Sequence, residues 1–265
     1  MDNVKFIPWI MKIFVAIAVS LLVTVVPGNA QDESGVANSD SVSWSPPRFD
    51  GRKAERSRMV QQHIAGSGRI QESQVIEAMR HVPRHLFVPP QVRSRAYRNR
   101  PLPIGEGQTI SQPLIVGYMT DLLDLTSDDK VLEVGTGSGY QAAVLSEITP
   151  HVFTIEIIES LAKQASKRLQ QLGYTTIRIR QGDGYYGWEE YAPFEAIIVT
   201  AAAGHIPPPL LDQLKPGGRM VIPIGGTYEV QTLMLVTKDT RGEVKTRQLM
   251  PVRFVPMTGA VRKKN

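Results

Sequence analysis

Val131-Leu132-Glu133-Val134-Gly135-Thr136-Gly137-Ser138-Gly139-Tyr140 is an apolar strand carrying one acid, which runs into three glycines at alternate positions and continues into a helical pattern. Glycine lacks a Cβ, so such a turn bends sharply and lets a ligand approach main-chain N–H groups. Outward from this turn, strand-period and helix-period segments alternate, the pattern of a doubly wound α/β protein with a mostly parallel sheet. Strands are predicted at Lys130–Val134, Val152–Ile157, Ile177–Arg180, Ala196–Thr200 and Arg219–Ile224, with helices near Pro113–Leu125, Gln141–Ile148, Ser160–Leu172 and Pro208–Leu214. A closing strand pair, Thr232–Thr237 and Val252–Val255, is predicted after the Gly225-Gly226 turn.

The spacing of the glycines separates two ligand classes. Dinucleotide sites use G-x-G-x-x-G, whereas G-x-G-x-G after an acid-bearing strand is the form of S-adenosylmethionine-dependent methyltransferases, whose ligand has no pyrophosphate. Two further carboxylates fall at the carboxyl ends of neighbouring predicted strands, where open α/β sheets bind ligands. Glu156, about 20 residues beyond Gly135, is placed to accept from both ribose hydroxyls; its alternative is a helix cap. Asp183, in Gly182-Asp183-Gly184, is placed to accept from an adenine amino group; its alternative is a turn. No Walker-type lysine stands nearby.

The chain has 265 residues and no cysteine, which excludes disulfide frameworks, thiolate zinc sites, iron–sulfur clusters and cysteine nucleophiles. Thirty Lys and Arg against 25 Asp and Glu leave a net charge of +5, which tolerates an anionic partner without requiring one. Residues 1–30 read as a signal-peptide-like leader: Lys5 and Lys12, an apolar run from Ile13 to Val26, then small residues to Ala30. An uncleaved anchor starting near Trp9 is the alternative. Residues 31–50, rich in Ser, Asp, Asn and Pro, are read as a disordered linker, and 51–265 as the catalytic domain, entered through two short helices before Pro83. Residues 48–100 hold twelve Arg or Lys against four Asp or Glu, either a guiding basic face or a solvated one. His81 and His85 flank Pro83 without the Glu of H-E-x-x-H and are read as surface histidines, so no metal is expected. Tyr185, Tyr186 and Trp188 fit either stacking on a ligand or packing under the sheet edge.

Ser111 has two readings: an N-cap with Pro113 in the first helical turn, or a functional hydroxyl. The run Pro101-Leu102-Pro103-Ile104-Gly105 with Gly107-Gln108-Thr109-Ile110-Ser111-Gln112-Pro113 resembles the signature of protein-L-isoaspartate O-methyltransferases. So do the Val131–Tyr140 turn, Gly182-Asp183-Gly184, Ile197–Ala202, Leu214-Lys215-Pro216-Gly217-Gly218 and Arg253-Phe254-Val255-Pro256. The resemblance implies methyl transfer from S-adenosyl-L-methionine to the α-carboxyl of L-isoaspartyl residues in damaged proteins and peptides, initiating repair through a succinimide. It implies the methyltransferase form of the doubly wound sheet, with a helical N-terminal extension. By the same likeness Ser111 is the active-site serine; Gly135, Gly137, Gly139, Glu156, Asp183, Gly184 and Thr258 line the cofactor; and Thr109, Ile110 and Val255 face substrate. A monomer without nucleic-acid partners is expected. Cofactor supply and the family's usual setting point to the cytoplasm, the leader to export.

Two rival readings make different demands. A nucleic-acid methyltransferase acting on base amino groups generally carries Asn/Asp-Pro-Pro-aromatic after the fourth strand, where this chain has Thr200-Ala201-Ala202-Ala203-Gly204-His205. An exported, catalytically silent binding protein of the same fold would fail to bind the cofactor.

Overall fold

The computed structural model describes residues 44–260, Tyr228 excepted. Helix α1 (Lys53–Met59) continues through a π turn over Val60–Ile64, and α2 (Ser73–His81) ends ahead of Pro83, which cannot supply a helical N–H. These form the helical extension. A hairpin follows, β1 (Leu102–Gly105) with β2 (Gln108–Ile110), which the sequence reading did not foresee. Its turn takes Gly105, Glu106 and Gly107 all to positive φ. Helix α3 (Pro113–Asp121) comes next, leaving Ser111 and Gln112 alone at the strand-to-helix joint.

The alternating region is β3 (Val131–Val134), α4 (Tyr140–Ser146), β4 (Val152–Glu156), α5 (Glu159–Gln171), β5 (Arg178–Gln181), β6 (Phe194–Val199), α6 (Pro208–Gln213) and β7 (Leu214–Ile224). β8 (Gln231–Lys238) and β9 (Val244–Val252) complete a seven-stranded sheet in the order β5-β4-β3-β6-β7-β8-β9. β3 to β7 run parallel, and β8 and β9 are antiparallel. Both faces of a parallel sheet must be covered, and accordingly β3 and β4 are buried at every position, as is every residue of α4. From β3 the chain winds first to β4 and β5, then back to β6 on the other side, so a crevice opens at the carboxyl end of β3.

Several boundaries move: β7 begins at Leu214, not Arg219, and α3 ends at Asp121, not Leu125. The last strand is Val244–Val252, not Val252–Val255, because an edge strand exposed on both faces from Val244 to Gln248, with a proline at 251, carries no buried alternation to read. Val255 to Met257 instead lie beside Ala202: Ala202 N–H donates to the Val255 carbonyl at 2.9 Å, and Met257 N–H to the Ala202 carbonyl at 2.7 Å. The expected disordered linker, 31–50, also gives way over 44–50. The Trp44 indole N–H donates to the Ser146 carbonyl at 2.9 Å, Phe49 stacks on Tyr174 with ring centroids 6.3 Å apart, and Arg48 pairs with Glu147 at 2.9 Å. Two aromatic anchors outweigh a polar composition. The remainder of that linker and the leader lie outside the described residues. Among the described residues, no helix is long and apolar enough to cross a membrane.

Candidate active site

Three cavities converge on the carboxyl end of β3. The widest, about 400 Å³, is lined by Pro101, Ile115, Met250, Phe254, Thr109 and Ser111, with Thr200 and Val255 among its further walls. A narrow trough of about 70 Å³ runs past Gly135, Gly137, Glu156, Gly184, Met257 and Thr258. A third, about 40 Å³, lies between Ile110, Ser111, Glu133 and the glycine turn. Thr109 and Thr200 border all three.

The glycine turn is held from several sides. Gly135 has φ +101°, and a Cβ there would sit 2.4 Å from Thr200 Oγ1. That hydroxyl donates to the Gly135 carbonyl at 2.7 Å, clamping β6 to the turn. Gly137 N–H donates to Glu156 Oε2 at 2.8 Å, and Ile158 N–H to Oε1 at 2.9 Å. The Glu156 carboxylate is therefore fixed along one side, and each oxygen has a remaining lone pair for the trough. Gly139 has φ +85°, and a Cβ there would meet Leu169 of α5 at 3.1 Å. Gly184 must lack a side chain, since a Cβ would lie 2.3 Å from Val134 Cγ1.

Asp183 lies apart from the three cavity linings. Its carboxylate accepts from Tyr185 N–H at 3.0 Å and from Ala260 N–H at 2.7 Å, so it organises its own turn and pins the chain beyond Thr258. Tyr185 and Trp188 are buried, with Trp188 edge-on to Phe153 and beneath the Arg180 guanidinium, while Tyr186 is exposed. His85 is buried, its Nδ1 2.7 Å from the Tyr97 hydroxyl, and burial pushes its pKa down to about 4. It is not the surface histidine expected. Among the described residues, no group of three His, Cys, Asp or Glu is arranged to hold a metal.

Ser111 does not cap α3. Gln112 occupies the N-cap position, without a side-chain hydrogen bond, and the Ser111 hydroxyl has no hydrogen-bond partner among the described residues. It stands where the wide cleft and the small cavity meet.

Three residues at the site were not singled out from sequence. Thr200 had a signal, its place immediately after the strand facing β3. Glu133 had one too, an acid within an apolar strand. It is fully buried, Oε2 accepts from the Thr154 hydroxyl at 2.6 Å, Oε1 has no partner among the described residues, and burial pushes its pKa up to about 8. Arg84 had no local signal.

The residues suit an adenosyl ligand: a trough with a carboxylate facing inward, glycines where a side chain would collide, and apolar walls. A doubly wound sheet with this trough at its switch point defines a Rossmann-like methyltransferase of the S-adenosylmethionine-dependent class. Residues 54–262 match the family model described as protein-L-isoaspartate(D-aspartate) O-methyltransferase. The chain is 60% identical over 214 residues to protein-L-isoaspartate O-methyltransferase 2 of Syntrophobacter fumaroxidans, covering 78% of this chain and 87% of that protein. It is 62% identical over 208 residues to protein-L-isoaspartate O-methyltransferase 1 of Nitrosospira multiformis, covering 78% and 88%. A solved protein-L-isoaspartate O-methyltransferase superposes with TM-score 0.69 at 26% identity, over 78% of this chain and 67% of the other. A Plasmodium falciparum beta-aspartate methyltransferase, solved in complex with S-adenosyl-L-homocysteine, shares the fold with TM-score 0.67 at 23% identity, over 77% and 98%. The chain belongs to the protein-L-isoaspartate(D-aspartate) O-methyltransferase family.

Proposed function

We propose that Ser111 receives the isoaspartyl carboxylate in the reaction this family performs, methyl transfer from S-adenosylmethionine to the α-carboxyl of L-isoaspartyl residues in proteins and peptides. The observation that carries the assignment is the position of Ser111, a hydroxyl without a partner among the described residues, on the wall shared by the wide cleft and the cavity at the glycine turn. Bound S-adenosylmethionine supplies a methyl group on a positively charged sulfur. Gly135, Gly137, Glu156, Gly184 and Thr258 would hold it along the trough. An isoaspartyl carboxylate is already ionised at neutral pH, so the chain needs no strong base; it needs alignment and exclusion of water. A carboxylate oxygen forms the bond to the methyl carbon as the carbon–sulfur bond breaks with its electron pair staying on sulfur. Carboxylate becomes ester and sulfonium becomes thioether, with no proton transferred.

A neutral hydroxyl is suited to this. Ser111 donates one hydrogen bond and orients the carboxylate without neutralising the charge that makes it nucleophilic. It forms no covalent bond, unlike a hydrolase serine. Thr109, Ile110 and Val255 flank it, and the Pro101, Ile115, Met250 and Phe254 walls take the apolar parts of the peptide around the damaged residue. The unaided peptide ester then closes to a succinimide, whose hydrolysis returns some normal aspartate. Asp183 and Gly139 support the pocket from outside its lining, through the chain beyond Thr258 and through α5.

Methyl transfer to one peptide carrying L-isoaspartate, beside the same peptide carrying aspartate, tests this reading. Base-labile methyl ester on the isoaspartyl peptide alone is expected. Ser111→Ala is expected to lower kcat by about 10- to 100-fold, the cost of about 1.4–3 kcal/mol of lost orientation and hydrogen bonding. Binding of S-adenosylhomocysteine should be unchanged; unchanged kcat would return Ser111 to a connecting role.

We further infer that the enzyme works as a monomer, without nucleic-acid partners, in the compartment where its cofactor is made. The leader-like residues 1–30 favour the other location, outside the cytoplasmic membrane. Fractionation and intact mass of the full chain distinguish the two: processed protein in the exported fraction overturns the cytoplasmic reading.

A further inference from the structure

Arg84 opens a short 3-10 turn, Arg84–Leu86, beyond α2, and is completely buried. Among the described residues no carboxylate lies within ion-pair distance of it. Its Nε donates to the Ala96 carbonyl at 2.9 Å, and its Nη2 to the Ser111 carbonyl at 2.7 Å. The guanidinium carbon lies 4.9 Å from the centroid of the Tyr140 ring, and Nη1 has no hydrogen-bond partner among the described residues. Burial pushes the pKa down to about 10, which still leaves the group charged at neutral pH.

Removing a guanidinium from water without a counter-charge costs several kcal/mol, and apolar residues of similar volume usually fill such a place at no loss of stability. Departures of this kind concentrate at functional sites. The bonds of Arg84 show where this one acts. Ala96 follows the 3-10 segment Pro90–Arg95, Ser111 joins β2 to α3, and Tyr140 is the first residue after the glycine turn. The carbonyl of Gln112 accepts from Ile115 and Val116 N–H and so belongs to α3, whereas that of Ser111 precedes the helical ladder and is held by Arg84. A planar fork makes these two bonds in different directions while its face lies on the ring, and an ammonium cannot do all three.

We infer that Arg84 is a positioning residue for Ser111, fixing the peptide at the β2–α3 joint so that the hydroxyl points to the boundary between cleft and glycine turn. The inference rests on the role assigned to Ser111 above. Arg84 does not touch substrate; it acts through the Ser111 main chain and, through Tyr140, keeps that joint in register with the turn.

The test is a double-mutant cycle in kcat on an isoaspartyl peptide: the unaltered enzyme, Arg84→Lys, Ser111→Ala and the pair, with S-adenosylhomocysteine affinity and thermal midpoint measured for each. Arg84→Met is a second variant that removes the buried charge altogether. Arg84→Lys and Arg84→Met should each lower kcat about 10-fold or more with cofactor affinity within about 2-fold, because a loose Ser111 still leaves the trough intact. In the Ser111→Ala background the further loss should be under about 2-fold, since no hydroxyl remains to be aimed. A full 10-fold loss in that background would make Arg84 a general structural residue and overturn the inference. So would folded Arg84→Met enzyme with undiminished kcat, or failure of both Arg84 variants to fold. Unchanged kcat in Ser111→Ala alone removes the role of Ser111 and overturns this inference with it, while the reading of the family reaction stands.

Discussion

Glu133→Gln is expected to stabilise the cofactor-free protein by an amount that grows with pH. Glu133 is fully buried in β3, and burial raises its pKa from 4.5 to about 8. Below the ordinary value both folded and unfolded chains hold the proton, and the side chain is neutral in each. Between 4.5 and about 8 the unfolded chain releases it while the native one retains it, so the native state loses stability as pH rises. Each unit of this window is worth about 1.4 kcal/mol. Glutamine resembles the protonated acid and does not titrate; its amide oxygen can accept from Thr154, as Oε2 does at 2.6 Å. The advantage of Glu133→Gln should therefore be about 1 kcal/mol at pH 5, about 3 at pH 7, and level off at between 4 and about 5 above pH 8. Urea denaturation of both proteins across this range measures it. Glu147, also buried and raised to about 7, contributes equally to both and cancels in the difference. A difference that stays flat with pH would mean that Glu133 is ionised in the native state and would refute the reasoning.

Glu156→Gln should weaken S-adenosylhomocysteine binding by about 10- to 100-fold, since charged hydrogen bonds contribute about 1.5–3 kcal/mol; calorimetry would measure it, and unchanged affinity would leave Glu156 only its bonds to Gly137 and Ile158. Gly184→Ala should also weaken cofactor binding, because the new methyl group would overlap Val134, and adding Val134→Ala should recover part of the loss. No recovery in the double variant would place the effect elsewhere than in that overlap. Trimming the chain to start at 51 rather than 44 should lower stability by about 2–4 kcal/mol, from the lost burial of Trp44 and Phe49; equal thermal midpoints would show that this segment contributes nothing.

The central sheet was legible because its strands are buried on both faces. Val131–Val134, Val152–Glu156 and Phe194–Val199 are nearly unbroken apolar runs bounded by turns, and the observed ends differ from the predicted ones by two residues or fewer. The β1–β2 hairpin was not legible: its strands are four and three residues long, and a Gly-Glu-Gly turn reads as loop when the pairing is not known. The edge strand Val244–Val252 escaped for a related reason, since both its faces meet water from Val244 to Gln248 and its composition there is set by solubility. At the site, Gly135, Gly137, Glu156, Gly184 and Thr258 were all readable and all line the trough. Gly139 and Asp183 were readable as residue types in a pattern, but a pattern does not say which way a residue faces.

The sequence by itself determined the doubly wound sheet, the glycine turn, the family and the site segments, because each rests on local periodicity or on a short motif whose backbone needs are specific. Only the tertiary structure decided that Ser111 is not the cap of α3, whose Leu114 N–H donates instead to Asn99 Oδ1, that Trp44 and Phe49 pack on the domain, and that Thr200 clamps the turn. It also decided that Arg84 reaches Ser111 across 27 residues of sequence. These depend on which side chains share a volume after folding, and burial of a charge or the partner of a hydroxyl is a property of that shared volume, which no run of neighbouring residues encodes.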